Sequence, residues 1–201
     1  IMTFPPAFQV AAPFGADIGG VSPAFFPSVA SAEFDSWLTI GVVDGTAATS
    51  MSSLGIDFES WTETSGLQVS NGAVFMMDPG TMGANSGSDP IVMAQMTLSA
   101  ADFASGTATA QLQGNAVDSS QEDWQYSATW TWSSSGPPPP PPPPPAPPPS
   151  DGAESVTVVS TDGVAGMTTV RLAYTLDAGQ ANVYAMAGTS ATTMSFPPCL
   201  L

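Results

Sequence analysis

An all-β sandwich of the Ig-like or jelly-roll type, divided into two β segments by a polyproline II rod, is the fold this sequence predicts. Three observations predict it. From Phe34 onward, short apolar runs alternate with Gly, Asp, Asn and Ser turns, which is the spacing of sandwich strands. Residues Trp124, Tyr126, Ala128, Trp130 and Trp132 alternate with Gln125, Ser127, Thr129 and Thr131, a period of two that turns one face to a core and the other to water. Between Gly136 and Ser150 stand nine consecutive prolines, then Ala146, then three more. Proline donates no backbone hydrogen bond and its φ is fixed, so neither helix nor central strand is open to this run. As a polyproline II rod it measures about 40 Å.

In chain order, the N-terminal stretch 1–31 carries Pro5, Pro6, Pro13, Pro23 and Pro27 with Phe4, Phe8, Phe14, Phe25 and Phe26 between them. This pattern predicts an extended edge or covering loop without helix, anchored by its aromatics. Strands are predicted over 37–43, 54–61, 73–77, 91–98, 107–113 and 124–132, and after the rod over 155–160, 168–176 and 182–187. The division is residues 1–135 as the main sandwich portion, 136–150 as the linker and 151–201 as a small three-stranded segment. Val170, Leu172, Tyr174 and Leu176 share one face of their strand, so Arg171 falls on the other, where a salt bridge is expected. The aromatics of 124–132 read as core, with a sugar-stacking platform as the alternative.

Charge narrows the function classes. Against 17 acidic residues there is one basic residue, Arg171, and no histidine, for a formal charge of −16. Nucleic acid and anionic membrane surfaces need Lys and Arg in numbers, and are excluded as partners. There is no histidine for general-base work, no lysine for Schiff bases and one thiol, Cys199, so most enzyme classes lose their usual residues and the chain reads as a non-enzyme. Cys199 has no partner for an internal disulfide and is left to pair between chains. A His/Cys zinc site cannot be assembled. Oxygen ligands remain: Asp78, Asn85, Ser86 and Asp89 share a Gly-rich loop and could hold Ca²⁺ or be solvated turn residues. Asp118, Glu122 and Asp123 form a second acidic turn with the same two readings. Asp35, Asp57 and Glu59 are the first candidates for a glycosidase carboxylate pair, although their spacing does not select them.

No apolar run approaches the ~20 residues that span a bilayer, and Ile1 opens no signal-like leader, so the sequence reads as a processed chain or a segment of a longer one. Asn71, Asn85, Asn115 and Asn182 all lack Ser or Thr two positions later, which leaves O-linked glycans as the expected kind.

A repeat joins the two ends. Met2-Thr3-Phe4-Pro5-Pro6-Ala7-Phe8 corresponds to Met194-Ser195-Phe196-Pro197-Pro198-Cys199-Leu200, 192 positions later. The 51 residues after the rod are too few to bury a sheet face alone. A neighbouring copy is the expected acceptor, giving a head-to-tail homopolymer by strand complementation. Phe4, Pro5, Pro6, Val170, Leu172, Tyr174, Leu176, Phe196, Pro197 and Pro198 are the expected assembly residues. The alternative is a carbohydrate-binding or Ca²⁺-dependent surface adhesion module.

The proline run, together with the strings Phe34-Asp35-Ser36-Trp37-Leu38-Thr39-Ile40-Gly41 and Leu54-Gly55-Ile56-Asp57-Phe58-Glu59-Ser60-Trp61, resembles the hydroxyproline-rich extracellular glycoproteins of algae and protists, including pherophorin-like matrix proteins and flagellar-hair proteins. The resemblance implies an extracellular or cell-surface, filament-forming protein. It also implies hydroxylation and O-linked sugars on Pro137, Pro138, Pro139, Pro140, Pro141, Pro142, Pro143, Pro144, Pro145, Pro147, Pro148, Pro149 and Ser150.

Overall fold

The alternation along 124–132 becomes a ten-residue strand whose Ala128, Trp130 and Trp132 are buried while Gln125, Ser127, Thr129 and Thr131 are exposed. A computed structural model of the chain describes residues 1–45, 50–78, 89–134 and 153–189. Among them are β1 (Met2–Phe4), β2 (Trp37–Leu38), β3 (Met51–Leu54), β4 (Leu67–Val69), β5 (Asn71–Met76), β6 (Ile91–Ser99), a short helix α1 (Ala100–Ala104), β7 (Ser105–Gly114), β8 (Trp124–Ser133), β9 (Ala153–Ser160), β10 (Met167–Thr175) and β11 (Ala185–Thr189). The fold is an all-β sandwich of two antiparallel sheets.

One sheet has the order β2-β6-β10-β9. The other is built around β7. On one edge β7 pairs with β8 along its whole length, from Ser105↔Ser133 to Gly114↔Trp124. Its other edge is shared by two short strands, β11 at Gln111 to Gln113 and β1 at Thr109. Beyond them β11 pairs β5 and β1 pairs β4, and β3 closes that side against β5. Thr189 lies opposite Asn71 and Met2 opposite Val69, while on β7 Ala187 lies opposite Gln111 and Thr3 opposite Thr109, so β11 and β1 abut along the same edge of β7 without sharing one continuous register.

The core between the sheets contains Met2, Phe4, Leu38, Trp61, Leu67, Met93, Met96, Trp130, Val170, Leu172 and Tyr174. Trp130 donates its indole N–H to the Ala173 carbonyl at 2.8 Å, tying β8 to β10 across the sandwich. A third layer covers the outside of the four-stranded sheet: Val21, Ala32 and Trp37, with Val10, Phe26 and Val43, form a second cluster there.

Several expectations change. The N-terminal stretch was expected as an edge or a covering loop; its later part does cover the four-stranded sheet, but β1 occupies an interior position, since Met2, Thr3 and Phe4 keep their amides and proline begins only at Pro5. Short 3-10 turns form at Pro23–Phe25 and Ala30–Phe34 where no helix was expected; Ser22 caps the first and Pro23 opens it with a pre-set φ. The strand expected over 54–61 ends instead at Leu54, because Gly55 takes φ +70° and a 3-10 turn follows at Phe58–Ser60.

Residues 153–189, expected to complete the sandwich of a neighbouring copy, pack here into the sandwich of their own chain. The reason is the buried face anticipated from sequence: Val170, Leu172 and Tyr174 are fully enclosed against β6 and the facing sheet, and Leu176 packs against them. The polyproline stretch, Ser150, and Phe196, Pro197 and Pro198 lie outside the described residues.

Gly188 marks the tightest point of the β11–β1 column: a Cβ there would lie 2.0 Å from the Val69 carbonyl oxygen and 2.8 Å from the Met2 nitrogen. Gly188→Ala should therefore cost more than about 2 kcal/mol in urea unfolding. Gly179→Ala, where a Cβ meets nothing within 4 Å, should stay within about 1 kcal/mol of the parent.

Candidate assembly site and its polar supports

The N-terminal strand and its proline extension sit in a receptor of side chains and backbone. Met2 and Phe4 are buried, Phe4 lies 5.9 Å from the Trp61 ring, and the Trp61 indole donates to the Pro5 carbonyl at 2.8 Å. Thr3 points the other way and shares a hydroxyl hydrogen bond of 2.8 Å with Thr109 of β7. After the prolines, the Ala7 amide donates to the Thr62 carbonyl and the Phe8 amide to the Thr97 carbonyl. Ala7 is itself buried. The structure thus places Phe4 and Pro5 in one site, while Val170, Leu172, Tyr174 and Leu176 belong to the facing sheet. Trp61 and Thr109 were not singled out from sequence; the regular Trp strings gave no sign of which indole would meet the prolines.

One atom in this extension is unsatisfied. The side-chain amide nitrogen of Gln9 is sealed from solvent and has no acceptor among the described residues. An unpaired buried donor carries its full desolvation cost.

At the far end of β11 a polar knot fixes the column. Asn182 accepts from the Asn115 amide and donates to the Asn115 side chain, each at 3.0 Å, and the Tyr184 hydroxyl donates to Asp123 at 2.8 Å. Burial first, and then the Asp123 carboxylate, hold the Tyr184 phenol well above its ordinary pKa. Asp123 is thereby absorbed into the fold, and Asp118 caps its own turn through Ser120, whose hydrogen bonds hold its pKa below the ordinary value.

Arg171 was expected to form a salt bridge. Among the described residues it instead donates from Nε to Gln95 at 3.1 Å and lies 5.9 Å from the Trp37 ring. Burial lowers its pKa. Gln95 passes the connection on, donating to the carbonyls of Glu33 and Asp35, so the cation and the amide together pin the outer layer to β6. A cavity of about 160 Å³ lies beside them, lined by Val21, Phe26, Glu33, Trp37, Gln95 and Arg171 among others.

The carboxylates proposed for hydrolysis sit in different surroundings. Asp57 and Glu59 are exposed on a turn, whereas Asp35 is buried and accepts backbone hydrogen bonds from Val10 and Ala16 at 2.7 Å each. Asn85 and Ser86 lie outside the described residues, and no cluster of three metal-ligating side chains occurs among those described, Asp78 and Asp89 included. The aromatic stripe of β8 faces the core, with Trp130 and Trp132 buried and Trp124 partly so, and offers no open stacking platform. No helix among the described residues is long and apolar enough to cross a membrane. Neither a family model, nor a curated protein, nor a solved structure matches the chain.

Two predictions follow from these supports. Burial raises the Asp35 carboxyl from 3.8 to about 6, against the lowering effect of its backbone donors. The folded protein then holds a proton that the unfolded chain releases, so this group favours folding below about pH 4 and that contribution is lost as pH rises to about 6. Parallel urea titrations of the parent and Asp35→Asn should diverge across that window, by up to about 3 kcal/mol. Gln9→Leu removes the orphaned amide and should raise stability by about 1 kcal/mol, seen as a Tm increase of about 2–4 °C.

Proposed function

We propose that this protein is a structural subunit of an extracellular or cell-surface filament or matrix. In this reading it is an Ig-like or jelly-roll-type sandwich that assembles head to tail by strand complementation and carries O-linked sugars on a polyproline II rod. The observation that supports it is the place of the C-terminal strands. β10 and β9 cover the free edge of β6 in one sheet and β11 lies between β5 and β7 in the other, so residues 1–134 alone leave an open edge in the first and a gap in the second. The strands that fill them are tied on by 18 residues, 135–152, of which twelve are proline.

The geometry of that tie favours exchange. Glu154 accepts a hydrogen bond from the Thr129 amide, so β9 begins beside the middle of β8, about 15 Å back from the point where β8 ends. A rod of about 40 Å must bridge that short gap when the strands stay in their own chain. The flanks, 135–136 and 150–152, are five residues that reach about 18 Å together when fully extended, so closure would require both to double back at full stretch. Insertion into a neighbouring copy requires neither.

The test is sedimentation of the full chain over a wide concentration range, followed by electron microscopy at a resolution that traces the backbone. The expected result is filaments in which residues 153–189 of one copy complete the next. A protein that is monomeric at every concentration, with these strands at home, would end this reading.

A further inference from the structure

We infer that the β1 position is a docking site for the C-terminal segment Met194–Leu201 of a second copy of this chain. This rests on the structural reading above, but not on the exchange of β9 to β11, and it names a different contact.

The argument is that the receptor reads particular properties of residues 2–9 and that residues 194–201 carry each of them. Two buried apolar side chains are needed at Met2 and Phe4, and the C-terminal copy offers Met194 and Phe196. A hydroxyl is needed between them to meet Thr109, and Ser195 supplies it in place of Thr3. The Trp61 indole needs a carbonyl followed by a chain that demands no further sheet pairing; Pro5-Pro6 and Pro197-Pro198 are identical there. The buried small residue Ala7 becomes Cys199, another small apolar side chain.

The last comparison favours the C-terminal segment. The position of Gln9, whose amide nitrogen is buried without an acceptor, is taken by Leu201, which has no polar atom to bury. The same segment bears no charge, so the −16 of each chain is not concentrated at the contact.

The register selects a second copy over the chain's own end. Between Ala187 and the place of Thr3 there are at most four positions, opposite Val69 to Gly72, and on β7 only one, opposite Ala110, whereas seven residues, Gly188 to Met194, separate Ala187 from Ser195. Filling its own site would force at least three surplus residues to bulge out of an interior column. A second copy meets no such constraint.

The experiment uses the chain lacking residues 1–9, under reducing conditions, followed by sedimentation and near-ultraviolet circular dichroism across concentration. The expected result is a folded multimer that dissociates on dilution. Phe196→Ala in the same background should weaken association at least tenfold, and an excess of a peptide spanning residues 193–201 should convert the multimers to folded monomers. A folded monomer at all concentrations, or multimers indifferent to Phe196→Ala and to the peptide, would overturn the inference. If the shortened chain is unfolded, peptides 1–9 and 193–201 are added separately. Refolding by the second supports the inference; refolding by the first alone, or by neither, overturns it. Filaments from the intact chain without Phe196-dependent multimers would sink this contact and leave the structural reading intact, and the reverse result would do the opposite.

Discussion

The architecture depends on how the second edge of β7 is satisfied. A ten-residue strand paired on one side by β8 presents on its other side a row of amides and carbonyls in the middle of a sheet, where leaving them unpaired is costly. This chain meets that constraint with two pieces from its opposite ends, β11 and β1, laid in line. Most of the long-range order follows. β4 and β5 can continue one another because their partners do, and the N-terminal prolines are carried to Trp61 because Met2–Phe4 must lie in the column.

The outer layer answers a different problem. The strands β6 and β10 are buried on both faces, yet their outward residues include Gln95, Thr97, Thr169 and Arg171, which need partners once covered. The loop from 10 to 43 supplies them largely with backbone: Gln95 reaches the Glu33 and Asp35 carbonyls, and the Thr97 hydroxyl donates to the Phe34 carbonyl. Asp35 does the converse, drawing two amides of the same loop onto a buried carboxylate. The chain's sole cation thus serves to hold down a covering layer.

The period-two signal made β6, β7, β8 and β10 legible in the sequence, since each is long and has one face in the core. The strings around Trp37 and Trp61 misled because their alternation stops after a residue or two: β2 has only Trp37 and Leu38, and Gly55 turns the chain before the second string can pair. The terminal repeat was visible as identical letters, but its meaning was not. Only the register shows that Met2–Phe4 sits in line with β11, and only the contacts show that Trp61 and Thr109 read it. No local pattern in residues 61 or 109 could have announced that, because their partners are separated from them by more than fifty residues.

The abutment of β11 and β1 has a topological consequence. Since β11 ends beside the start of β1, with a Cβ on Gly188 falling 2.8 Å from the Met2 nitrogen, the described fold is close to a closed ring of chain, and a short connection looping out between those points would leave the strand pairings in place. A circular permutant opened within residues 135–152 would run from β9 through β11 into β1 and on to β8, giving every strand the same neighbours. In that order the prolines become the two free ends.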